Sequence, residues 1–299
     1  MVMATVLRDF GAYYAGGRVI QVDGQPIRDI DVTPTTSLRH DPNGGHWVEQ
    51  TYVQYFVPQA RREGPPVVLV HGGGLTGSCW ETTPDGRPGW LHRLLERGRE
   101  VHVVDLVERG RAGWRPDHFE GEAITRSMEE TWTLFRIGAA AGFGSRTPFA
   151  GQRFPVDAFE TFCRSFVPRW LTTLAAQATG LGAVLEELGG ATLIAHSHGC
   201  QVAFSALAAT AAPVDRLIAL EPSGLPAPGQ RMAEKTTLAF GDYLDDAPIW
   251  SGLVERCRAV AADDPMVTWL DLTQAVGPGF SHMIMMDRGS EDALDAALS

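Results

Sequence analysis

The stretch TLIAHSHGCQVAF (Thr192–Phe204) passes from a short apolar run to a serine between two histidines, then a glycine, then a helical pattern. It reads as a strand, a sharp turn and a helix, with Ser197 at the turn. The frame Ala195-His196-Ser197-His198-Gly199 departs from G-x-S-x-G only in its first residue. Such a turn needs small residues two before and two after the serine because its backbone is tight, and alanine meets that need. A serine that merely capped a helix would require neither the preceding strand nor the glycine.

The same alternation continues outward. Short β-branched runs stand at Val67–Val70, Val101–Asp105, Arg216–Leu220 and Thr236–Phe240, with a weaker one at Met266–Leu272. Between most of them lie helical patterns: GWLHRLLERG (89–98), FVPRWLTTLAAQATGLGAVLEELG (166–189, starting near Phe166) and QVAFSALAATAA (201–212). Upstream of the linker Arg61–Pro66 the chain reads as strands, with a turn signal at Asp23-Gly24 and alternation in HWVEQTYVQYFVPQA (46–60). Strands first and repeated βα units after predict a mostly parallel central sheet flanked by helices, in a single α/β domain over 1–299. One segment breaks the rhythm. GEAITRSMEETWTLFRIGAAAG (121–142) and FGSRTPFAGQRFPVDAFETF (143–162) carry no strand signal, and a compact domain rarely holds so long a connection without purpose. The segment 112–165 is expected to be a helical lid inserted over the carboxyl ends of the strands, where ligands bind in open α/β sheets.

Composition excludes several function classes. The formal charge is −11, without a basic stripe, which argues against a nucleic-acid partner. No window has the length of a membrane span. The N-terminal text MVMATVLRDFGAYYAGGRV lacks the layout of a signal peptide, so the expected compartment is the cytoplasm, or the periplasm or exterior if a leader has been removed. Cys79, Cys163, Cys200 and Cys257 are scattered, without a C-x-x-C pair, and are expected as buried free thiols.

A serine hydroxyl becomes a nucleophile only beside a base, and the base needs an orienting carboxylate. His282 is the one histidine downstream of His198, in the glycine-bearing turn GPGFSHMIMM (277–286) before a terminal helix, and is the expected base. The acid is Glu221 or Asp242, each following a strand run, with Asp245 and Asp246 close behind Asp242. Glu221 is favoured because a carboxylate closing the apolar run RLIALEP (216–222) is an expensive place for an unpaired charge. Donors for a tetrahedral oxyanion are expected from the His198 backbone and from VVLVHGGGLTG (67–77), with Gly73 first and Gly74 next. A phosphate loop is argued against there by the absence of G-K-[ST]. Neither cofactor nor metal is called for.

His71-Gly72-Gly73-Gly74, the Ser197 turn and the late His282 together resemble the α/β-hydrolase superfamily over nearly the whole chain. The elbow lies 126 positions after His71 (197 − 71), with the insertion between, unlike the hormone-sensitive-lipase branch that HGGG alone brings to mind. The longer strings HGGGLTGSCWETTPDGRPGW (71–90), EETWTLFR (129–136), LEPSG (220–224), FGDYLDD (240–246) and SHMIMMD (281–287) are similar to a smaller group of bacterial esterases. That resemblance implies the α/β-hydrolase fold and a Ser197–Glu221–His282 triad.

The expected activity is hydrolysis of small hydrophobic or aromatic carboxylic esters through an acyl-enzyme, with Trp80, Trp132, Phe135 and Phe149 as pocket walls. Rival readings are a lactonase or carbon–carbon bond hydrolase on the same triad, or a slow-turnover ligand-binding module. The expected partner is a small-molecule ester or lactone, with no nucleic acid and no membrane, and a homodimer as the expected assembly.

Overall fold

The computed structural model describes residues 5–299 except 116, 117, 228, 231 and 247. Ten strands are present: β1 (Leu7–Val22), β2 (Arg28–Thr33), β3 (Thr36–His40), β4 (Gly44–Pro58), β5 (Val67–Val70), β6 (Val101–Asp105), β7 (Ala191–His196), β8 (Val214–Leu220), β9 (Lys235–Phe240) and β10 (Val267–Asp271). The helices are α1 (Trp90–Glu96), α2 (Met128–Leu134), α3 (Phe159–Cys163), α4 (Leu174–Leu188), α5 (His198–Ala209), α6 (Pro248–Asp263), α7 (Leu272–Ala275) and α8 (Ser290–Leu298).

Eight strands form one sheet in the order β1-β4-β6-β5-β7-β8-β9-β10, while β2 and β3 pair apart from it. From β6 to β10 every neighbour pair is parallel, and β4 joins β6 antiparallel, as does β1 to β4. The reason is legible in β5. Its four residues are all fully buried, and their side chains alternate between two layers. Val67 and Leu69 pack with α1 and α8, whereas Val68 and Val70 pack with α4 and α5. Chain order reverses at β5, which has β6 on one side and β7 on the other. That switch point opens a crevice at the carboxyl ends of the strands.

The long helix begins at Leu174 rather than near Phe166. Pro168 lacks an N–H and disfavours helical backbone at Val167. Arg169 instead forms an antiparallel bridge with Ile124, with N···O distances of 3.0 and 2.8 Å. Between β6 and α4 the insertion holds two short helices, α2 and α3, with 3-10 turns at 110–112, 140–142 and 156–158. Its own aromatic cluster holds it together: Trp132 meets Phe159 edge-on at 5.3 Å, and Phe154 meets Phe162 at 5.3 Å. Positions 116 and 117 of the expected lid lie outside the described residues. All four cysteines are free; Cys79, Cys200 and Cys257 are buried, and Cys163 is half-buried. Among the described residues no helix is long and apolar enough to cross a membrane.

Candidate active site

Ser197 sits between β7 and α5 with φ 52° and ψ −118°, a region that side chains other than glycine rarely enter. The turn is held by Ser197 N donating to Leu220 O at 2.9 Å, and by Cys200 N and Ser223 N donating to Ser197 O at 3.0 and 3.3 Å. A Cβ at Gly199 would collide with the His71 and Val70 carbonyl oxygens, so glycine is required there. Two positions before the serine, Ala195 is fully buried and its methyl is accommodated.

His282 comes from the loop after α7, and its ring is held by a carboxylate and two aromatic side chains. Its Nδ1 lies 3.2 Å from Glu221 Oε2; a carboxylate only accepts, so Nδ1 carries the proton and Nε2 keeps its lone pair. Phe135 and Trp250 each stack on the His282 imidazole, with centroids 5.2 and 5.0 Å away and planes tilted by 23° and 24°. His282 N donates to Phe135 O at 3.0 Å. Burial lowers the His282 pKa below the usual histidine value against the pull of Glu221, which keeps the ring neutral near pH 7. Among the described residues no hydrogen bond joins Ser197 Oγ to this ring, a common situation before a substrate tightens the site.

Glu221, at φ 51°, is fully buried at the end of β8. Its oxygens accept from Arg136 Nη1 at 2.9 Å, Arg136 Nη2 at 2.5 Å and Gly241 N at 2.7 Å, besides His282. Burial pushes the carboxyl up, but the Arg136 charge and the donated hydrogen bonds outweigh it and bring the pKa down to about 2. Asp242, the other acid considered, faces elsewhere: its Oδ1 accepts from Tyr243 N at 2.7 Å and its Oδ2 from Gly279 N at 2.8 Å.

The glycine loop after β5 completes the floor. His71 donates from Nδ1 to Gly72 O at 2.8 Å and accepts Leu106 N on Nε2 at 3.1 Å, tying the loop to the end of β6. Burial, with help from Arg109, lowers its pKa to about 4, so it stays neutral in this role. His196 is buried behind the serine, where its Nε2 donates to His282 O at 2.9 Å. His198 is the first residue of α5, so its backbone N–H lies outside the helical ladder. Its ring Nε2 donates to Gln177 Oε1 at 3.0 Å, and Gln177 in turn donates to Glu108.

Ser197, His198, Gly73 and His282 line one cavity of about 310 Å³, together with Leu134, Phe135, Trp250 and Leu253. Gly74 is not among its walls; it turns at φ 75° and its carbonyl accepts Val167 N at 2.9 Å. Of the four aromatic walls expected, the cavity has only Phe135. Trp80 is fully buried against Trp90, Trp132 sits inside the aromatic cluster of the insertion, and Phe149 stacks on Tyr243. The sequence does not point to Arg136 or Trp250, and it offers His71 only as the head of the His71-Gly72-Gly73-Gly74 motif. The arginine in EETWTLFR is the only trace of Arg136, and nothing local marks Trp250. Among the described residues no group of three His, Cys, Asp or Glu could hold a metal ion.

The fold is that of an α/β-hydrolase. Residues 67–297 match the model of the alpha/beta hydrolase family, and the chain belongs to that family. A bacterial esterase solved at atomic resolution is similar at 26% identity and a TM-score of 0.85, over 99% of this chain and 96% of that one. The probable secreted lipase phiG of Fungal sp. (strain ATCC 74256) is 29% identical over 192 residues, 61% of this chain and 52% of its own length. The chain thus spans about half the length of that curated relative. A predicted CIB-like hydrolase from Thermoplasma acidophilum shares the fold at 14% identity and a TM-score of 0.50, over 95% of this chain and 98% of that one.

Proposed function

We propose that the protein is a serine carboxylic-ester hydrolase with Ser197 as nucleophile, His282 as base and Glu221 as the orienting acid. One observation carries the reading: Glu221 holds Nδ1–H of His282 at 3.2 Å, leaving the Nε2 lone pair for the cavity that Ser197 shares. As Ser197 Oγ attacks the ester carbonyl, His282 Nε2 takes its proton, and Glu221 stabilises the imidazolium. The Gly73 and His198 amides receive the developing oxyanion. His282 then protonates the leaving alkoxide, and water releases the acyl group by the reverse path. The apolar walls Leu134, Phe135, Trp250 and Leu253 support an ester with an apolar portion.

The insertion 112–165 acts as a lid within a single domain over 1–299, because Leu134 and Phe135 reach the cavity from it. The bacterial and fungal relatives, named as an esterase and a probable lipase, support ester chemistry over lactone or carbon–carbon cleavage. The test is labelling with a fluorophosphonate, followed by turnover of matched aryl esters, alkyl esters and lactones. The expected result is covalent modification of Ser197 and turnover of esters. An unlabelled Ser197 in folded protein overturns the reading in favour of a binding module.

A further inference from the structure

The cavity over Ser197 is basic in an acidic protein. The chain carries 36 Asp and Glu against 25 Lys and Arg, yet Arg126, Arg169 and Arg256 line this cavity and no carboxylate does. Other buried arginines nearby have acidic partners. Arg136 holds Glu221, and Arg109 lies 3.0 Å from Glu108. Arg126, which lies just before α2, pairs with Glu130 in the first turn of that helix, and Glu130 is half exposed.

Arg169 differs. Among the described residues its guanidinium has no ion-pair partner within bonding distance, and its Nε, like that of Arg126, is buried without a hydrogen-bond acceptor. Its backbone is nonetheless fixed by the bridge to Ile124, and Val167 N is tied to Gly74 O. From this anchored backbone the guanidinium lies over the glycine loop, so that a Cβ at Gly73 would collide with it. Burial, the Arg126 charge and the weak opposing pull of Glu108 all act on it, with the balance against its charged form. An unpaired cation partly removed from water is costly and is retained where a ligand completes it.

We propose that the substrate is an ester bearing a carboxylate, and that Arg169 binds this carboxylate inside the cavity with Arg126 beside it. The planar guanidinium fork matches a carboxylate in two parallel hydrogen bonds. Exposed Arg256 stands on the same wall and draws anions toward the opening. The apolar walls take the chain between the carboxylate and the scissile bond. This inference rests on Ser197 being the nucleophile.

The test compares mono-p-nitrophenyl glutarate with its uncharged methyl ester on the full chain. In the parent protein kcat/KM should favour the anionic ester at least tenfold, and that ratio should shrink as ionic strength rises. In Arg169→Met the ratio should fall by about tenfold to a hundredfold, and Arg169→Lys should restore part of it. No preference for the anion in the parent protein overturns the proposal. So does an equal loss for both esters in Arg169→Met, which would make the arginine a support for the oxyanion loop. If that variant fails to fold, inhibition of the parent by glutaramate decides: it must exceed inhibition by uncharged glutaramide, and equality overturns the proposal. If Ser197 resists fluorophosphonate, the nucleophile is lost instead, and calorimetric binding of glutaramate, present in the parent and absent in Arg169→Met, still decides the anion site.

Discussion

Glu221 and Asp242 stand at the ends of adjacent strands, β8 and β9, close enough in sequence logic that either could serve one histidine. They differ in what fills their oxygens. Asp242 accepts two backbone N–H groups, from its neighbour Tyr243 and from Gly279, and so closes a loop. Glu221 accepts from a guanidinium, an amide and the imidazole, and is buried on a strained backbone. Glu221 reaches the His282 ring, whereas among the described residues no hydrogen bond joins Asp242 to it. Position along the strand order therefore decides less than the donors that reach the site.

The comparison can be broken most directly by removing groups in turn. Ser197→Ala sets the floor, with kcat expected to fall by roughly 10⁴–10⁶ in steady-state ester turnover. Glu221→Gln should lower kcat by about 10³–10⁴, since the amide leaves the imidazole in the wrong tautomer or unsupported. A loss of less than tenfold would show that Glu221 does not orient the base. Arg136→Met leaves a buried carboxylate without its cation and should cost about 3–5 kcal/mol in urea unfolding at pH 7. The sign with pH follows from the Glu221 pKa, which folding depresses from the ordinary value of 4.5 to about 2. Its stabilisation is complete above the unfolded value and is lost as pH falls through the folded one; in Arg136→Met the loss should begin at higher pH.

Activity in the parent protein should have its acid limb below pH 6.5, because the proposed base His282 must be neutral to act and its pKa lies under the usual histidine value. A kcat/KM profile with its limb above that pH would mean that Glu221 wins over burial. The smallest effect belongs to Asp242→Asn, which should keep kcat within about tenfold of the parent while lowering stability by about 1–2 kcal/mol through one lost loop hydrogen bond. Equal kcat losses in Asp242→Asn and Glu221→Gln would erase the distinction between the two acids.

The central strands were legible because a fully buried parallel strand is a continuous apolar run, and Val67–Val70 and Val101–Asp105 match β5 and β6 at both ends. The turn at Ser197 was legible because its constraint is local: small residues at fixed offsets. The start of α4 was misplaced since helical periodicity in 166–173 competes with Pro168 and with a bridge to Ile124 that lies far off in the chain. Trp80 and Trp132 show the same limit. An aromatic side chain fills a core as readily as it walls a cavity, and only packing against Trp90 or Phe159 tells the two apart. Arg136 was invisible for a related reason, since its meaning lies in Glu221, 85 residues away.

Phe135 and Arg136 are consecutive residues of the insertion, and each grips a different member of the proposed triad. Phe135 offers its carbonyl and its ring to His282, while Arg136 clamps Glu221 and donates to Asp242 O at 2.7 Å. The insertion is thus no detachable module. Trimming it to widen the entrance, or exchanging it for a relative's to change selectivity, would also take apart the histidine–glutamate alignment beneath. A graft would succeed only if it carried this dipeptide in register, and selection on the roof and selection on the reaction centre act on the same pair of residues.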